Sequence, residues 1–102
     1  MATRILSGWT PGSPIDGQII RVYAGGALAG TYPLANDATS CEVELGPGLN
    51  KAELRSLFEA EQSDVWLVVE YTAGGERGSE SGESGGNPEI PGPTGTISVS
   101  NP

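Results

Sequence analysis

Gly82-Glu83-Ser84-Gly85-Gly86 matches the letter pattern of a nucleophile elbow, in which a serine on a tight strand-to-helix turn attacks with the help of a histidine base. The chain has no histidine, and the segment has neither a strand pattern before it nor a helix pattern after it. Glu42 with Glu44, and Glu59 with Glu61, have the side chains for paired acid and base work. Such pairs need a pocket that drives their pKa values apart. Glu42 and Glu44 instead alternate along the polar side of a strand-like segment, where water solvates both. Asp16, Asp37 and the acidic residues after Gly74 offer hard oxygen ligands for calcium, without the Asp/Asn spacing of an EF-hand. One cysteine, Cys41, and no histidine cannot supply the usual zinc ligand set. No catalytic, cofactor-binding or metal-binding residue is therefore expected. Trp9 and Trp66 could together stack a sugar, but burial or contact with another subunit explains two tryptophans more simply.

Thirteen acidic residues face five basic ones, for a formal charge of −8, and Arg4, Arg21, Lys51, Arg55 and Arg77 are scattered. Phosphate neutralisation needs clustered Lys or Arg, so nucleic acid and anionic membranes are not the expected partners. An acidic surface suits a basic protein partner or a saline environment. The single Cys41 cannot close an internal disulfide and reads as a small buried hydrophobe. Met1-Ala2-Thr3-Arg4 leads into a strand-like segment without a charged leader and apolar run, and no stretch approaches transmembrane length. The expectation is a protein made in the cytoplasm that leaves a cell, if at all, by lysis within a particle.

Gln18 to Tyr23 and Ala27 to Leu34 are β-rich and separated by Gly25-Gly26, the signature of a hairpin through a type I′ turn, and Asn36-Asp37 marks the next turn. Ser40 to Leu45 alternates cleanly, with Cys41, Val43 and Leu45 on one side and Glu42 and Glu44 on the other. Leu49 to Ala60 reads as a helix of two to three turns. Leu54, Leu57 and Phe58 form a stripe, Asn50 is placed as N-cap with Glu53 completing a capping box, and Leu49 and Leu54 form a hydrophobic staple. Asp64 to Thr72 is the most apolar run and reads as a central strand. Its Trp66 and Val68 side must also meet something.

Gly74 to Gly86 contains no apolar side chain and reads as disordered in isolation. Asn87 to Gly95 is proline-rich, with Pro88, Pro91 and Pro93. Thr96 to Ser100 returns to alternation as a last strand, and Thr3 to Trp9 reads as a first one. The expected core joins Cys41, Val43 and Leu45 to Val22, Leu54, Leu57, Phe58, Val65, Leu67 and Val69. The chain divides on this reading into a core over 1–73, a linker or arm over 74–95 and a C-terminal strand over 96–102. With 16 Gly and 8 Pro in 102 residues, one small core is the most it can hold.

The stretch Ile20-Arg21-Val22-Tyr23-Ala24-Gly25-Gly26-Ala27-Leu28-Ala29-Gly30-Thr31 resembles the central hairpin of bacterial Ig-like modules, and the likeness runs on through Thr72. The resemblance implies a mainly β fold: an Ig-like antiparallel β-sandwich, here with one short helix and an extended Gly/Pro-rich C-terminal arm. By analogy it implies adhesion or virion-surface roles. Together with the small core, acidic surface and long arm, this leads to the expectation of a non-enzymatic structural subunit of a large assembly, most concretely a phage virion protein such as a capsid decoration (cement) protein or a tail component. Its partners would be a capsid or tail protein and copies of itself, through Trp9, Trp66, Val68, Ile90, Ile97 and Val99. The alternative is a ligand- or glycan-binding adhesion module on a cell surface. In the first reading the arm is ordered only when it crosses onto neighbouring subunits; otherwise it returns the last strand to its own sandwich.

Overall fold

In the computed structural model, which describes residues 2–102, the chain forms eight strands in two antiparallel sheets, with no helix among the described residues. The strands are β1 (Thr3–Thr10), β2 (Gly17–Ala24), β3 (Ala27–Leu34), β4 (Ser40–Glu44), β5 (Asn50–Phe58), β6 (Glu61–Thr72), β7 (Gly75–Glu83) and β8 (Thr94–Ser100). The small sheet has the order β4-β1-β8 and the large one β3-β2-β5-β6-β7.

Alternation decides what lies between the sheets. Leu6, Trp9, Cys41, Val43 and Ile97 from the small sheet pack against Ile20, Val22, Ala52, Leu54, Leu67, Val69 and Tyr71 from the large one, with Leu45 and Val99 half-buried at the margin. Leu57, Phe58 and Val65, expected in this core, are only half-buried and lie outside it. Burying a large aliphatic or aromatic side chain is worth about 1.5–3 kcal/mol, and this inner layer is the main source of stability.

The expected β2–β3 hairpin forms, with Gly25 and Gly26 both at positive φ in the two-residue turn. The expected helix does not form: 50–58 is the central strand β5, paired over 50–57 with β2 and over most of its length with β6. Asn50 caps no helix. It is fully buried, its side chain accepting from the Gly46 N–H at 2.9 Å and donating to the Gly46 and Gly48 carbonyls at 3.0 and 3.2 Å, and so it shapes the β4–β5 loop. Glu53 completes no capping box. It receives Arg55 at 3.1 Å on the outer side of the sheet. Local helix signals lose because β5 gains two strand partners and sends Ala52 and Leu54 into the core.

The arm is also not an arm. Gly75 to Glu83 forms β7 on the edge of the large sheet, following β6 through a turn at Ala73 and Gly74. Apolar burial is not what orders it. The backbone ladder with β6 supplies the partners, and the polar side chains, Glu76, Arg77, Glu80 and Glu83 among them, are exposed to water. Beyond it the chain crosses to the small sheet, where β8 pairs antiparallel with β1 of the same chain and Ile97 enters the core. The proposed linker and last strand are thus parts of one sandwich-like body with residues 1–73.

Candidate functional site

The outer face of the large sheet and its edges are the surfaces that could meet a partner. Register sets the face. Ile19, Arg55, Trp66 and Gly82 form one cross-strand row; Arg21, Glu53, Val68 and Glu80 the next; Tyr23, Lys51, Glu70 and Gly78 a third. Apolar and charged residues are mixed, and Arg21, Lys51 and Arg55 give this otherwise acidic chain three of its five cations here.

Arg55 is the structural centre of the face. Between Arg55 and Leu57 the β5–β6 register shifts, so that Ser63, Asp64 and Val65 of β6 bulge out of the ladder. Bulged carbonyls need other donors. The buried Arg55 guanidinium donates to the carbonyls of Ser63 at 2.8 Å, Asp64 at 3.3 Å and Ser84 at 2.6 Å, and its Nε lies 3.1 Å from Glu53. Ser63 adds its own hydroxyl, which accepts from the Ser56 N–H at 3.0 Å and donates to the Val65 carbonyl at 2.7 Å. The loop after β7 docks into the same bulge, with Ser84 N–H donating to Asp64 O at 2.9 Å and Asn87 N–H to Gln62 O at 2.9 Å. Gly86 lies so close to the Ser63 carbonyl that no Cβ fits there.

Trp66 lies over Gly82 of β7, where a Cβ would strike its six-membered ring, and its Nε1–H donates to Ser84 Oγ at 3.1 Å. The serine of the elbow-like pattern is thus the acceptor for an indole. Glu42 and Glu44 are exposed on β4, and Glu59 lies in the β5–β6 turn, where it and Ala60 both take positive φ, with Glu61 just after it.

The six residues expected as assembly contacts do not form one surface. Trp9, Val68, Ile90 and Ile97 are buried, and Trp66 and Val99 are half-buried. Trp9 belongs to the core, its indole donating to Gln18 Oε1 at 2.9 Å, while Trp66 is on the opposite side of the large sheet, so the two-tryptophan platform is not formed. Gln18 is a position that sequence reasoning passed over. Fully buried, it also donates to the carbonyls of Ala35 and Ala38 at 2.9 and 2.8 Å, and its place in a β-rich run was the only signal for it.

The sheet edges are not equivalent. On β4 the Glu44 N–H donates to the Tyr32 hydroxyl of β3 at 3.0 Å, and on β8 the Val99 N–H donates to Glu76 Oε1 of β7 at 3.2 Å. Each margin of the small sheet is therefore tied by a side chain from the large one. On β3 the edge carries Pro33, which has no N–H to offer. β7 is different: this edge strand of nine residues has no proline, and its Gly75, Gly78, Ser79, Ser81 and Gly82 stand among the charged Glu76, Arg77, Glu80 and Glu83.

Burial pushes the Cys41 thiol up from its ordinary pKa. Tyr71, fully buried with no hydrogen-bond partner for its hydroxyl among the described residues, is pushed up to about 12, first by burial and then by Tyr32 and Cys41. Both groups stay neutral and face the interior.

No protein-family model, curated protein sequence or solved structure matches the chain.

Proposed function

We propose that the chain is a non-enzymatic structural subunit with an Ig-like sandwich, and that it stabilises or decorates a large assembly, most concretely a phage particle as a capsid decoration or tail component. The observation that carries this reading is the asymmetry of the edges. The β4 and β8 margins are tied by Tyr32 and Glu76 and the β3 edge is interrupted by Pro33, while β7 has no proline and is guarded only by the charges of Glu76, Arg77, Glu80 and Glu83 among its glycines and serines. An open edge is normally blunted, because it invites pairing with another chain. One edge left approachable supports a partner that adds a strand there.

The partner is another protein subunit. With a formal charge of −8, a nucleic acid or an anionic membrane would be repelled.

Neighbouring proline variants test the reading. Along an antiparallel strand successive amides point alternately toward β6 and outward, so Ser79→Pro and Glu80→Pro remove one amide of each kind. The variant that keeps wild-type stability has lost the outward amide, and it is expected to drop out of purified particles. Its retention at wild-type copy number, or the absence of the wild-type chain from such particles, would contradict the proposal.

A further inference from the structure

The two ends of the sandwich differ in chemistry, and the strand register places them apart. β2 runs from Gly17, opposite Leu57, to Ala24, opposite Asn50, so the β5–β6 turn and the β2–β3 turn stand at opposite ends of the large sheet. At the hairpin end are the two large apolar side chains most open to water, Leu28 at 56% and Leu49 at 46% exposure. Leu28 pairs with Tyr23, which pairs with Lys51, and the Gly25 N–H donates to the Leu49 carbonyl at 3.3 Å, so both leucines and an exposed lysine share that end. At the other end a groove of about 360 Å³ has Phe58, Ile90 and Pro91 in its floor and Glu59, Glu61 and Glu89 on its rim. Asp16 stands beside it, holding the Glu59 N–H at 2.8 Å.

We infer that the chain associates head to tail with a second copy of itself, the hairpin end of one molecule seating in the groove of the next. Leu28 and Leu49 supply the large apolar side chains most open to water and the groove floor supplies the apolar counterpart. Lys51 faces a rim of three carboxylates that has no cation of its own among the lining residues. Two different surfaces meet in this contact, so it is heterologous, and repeating it gives a ring or a filament. The inference deepens the subunit reading and rests on it for the identity of the occupant.

The test uses two variants altered only at exposed positions: Leu28→Asp with Leu49→Asp at the hairpin end, and Glu61→Lys with Glu89→Lys at the groove. Sedimentation velocity from about 10 μM to about 1 mM covers the affinity range of weak subunit contacts. Wild type is expected to shift to larger species with concentration, and each variant alone to remain monomeric. An equimolar mixture of the two variants should form a dimer and stop there, because each contributes the end that the other lacks. A wild type monomeric throughout, variants that associate like wild type, or a mixture that stays monomeric would each overturn the inference. A monomeric wild type found at fixed copy number on particles overturns head-to-tail contact alone and leaves the subunit reading intact.

Discussion

Arg55 shows what a single residue does here. Its guanidinium serves three carbonyls left by the β6 bulge and the loop after β7, while Glu53 balances its charge. All three carbonyls accept from Nη1 while Nε and Nη2 reach the Glu53 carboxylate at 3.1 and 3.4 Å, a spread of donors that the single nitrogen of a lysine does not have. Arg55→Lys should therefore cost about 2–4 kcal/mol in urea unfolding, because a lysine leaves either the carbonyls or Glu53 without a donor. A loss below about 0.5 kcal/mol would mean that the bulge is held by the ladder alone. Tyr71 gives a pH prediction. Its folded pKa is pushed up to about 12 from the ordinary 10.0, so the neutral phenol is favoured in the fold. That contribution is complete below pH 10 and is lost as pH rises from there toward 12. Unfolding free energies measured at steps across that window should fall more steeply in wild type than in Tyr71→Phe. At neutral pH the phenylalanine variant should lose almost nothing, since the buried hydroxyl has no hydrogen-bond partner among the described residues. The Cys41 thiol, buried with a raised pKa, should react with a thiol reagent only after denaturant is added.

At the scale of elements, β5 and β7 decide how much could be read from the sequence. The strands read at Ser40 to Leu45 and Asp64 to Thr72 and the Gly25-Gly26 hairpin were legible because apolar alternation and turn residues coincide there, though β6 begins three residues earlier, at Glu61. β5 was not. Its inward set is Asn50, Ala52, Leu54 and Ser56, two of them polar, so buried polar groups disguise the period of two, while Leu54, Leu57 and Phe58 imitate a helical stripe. Only the pairing of β5 between β2 and β6 settles its conformation, and pairing is not a local signal. Asn50→Ala should cost about 1–3 kcal/mol by unpairing the Gly46–Gly48 loop, which circular dichroism-monitored unfolding can measure. β7 was illegible for a different reason, because its composition is that of a linker and its order comes from backbone bonds to β6. One residue there is still specific: Gly82 makes room for the Trp66 ring. Gly82→Ala should shift tryptophan fluorescence and cost about 1–3 kcal/mol through overpacking. Unchanged emission would show that the ring does not rest on β7.

For the molecule as a whole, the expected division into core, arm and final strand gives way to a single body in which the last strand closes the small sheet against β1. The sequence carried the mainly β class and half of the inner layer: Val22, Cys41, Val43, Leu54, Leu67 and Val69 were expected there, and Leu6, Trp9, Ile20, Ala52, Tyr71 and Ile97 were not. Of the candidate contacts, Trp9 and Ile97 are used by the fold itself, since apolar residues in a strand-like run suit an inner layer as well as a subunit contact. What remains available to a partner is backbone along β7 and the two chemically distinct ends. Strand addition at β7 is the central claim, and residue-resolved hydrogen exchange on the free chain and on the assembled particle tests it most directly. In the free chain, amides of 75–83 that pair with β6 should be protected and the alternate, outward amides should exchange quickly. In the particle the outward set should become protected as well; outward amides that exchange equally fast in both states would contradict the claim.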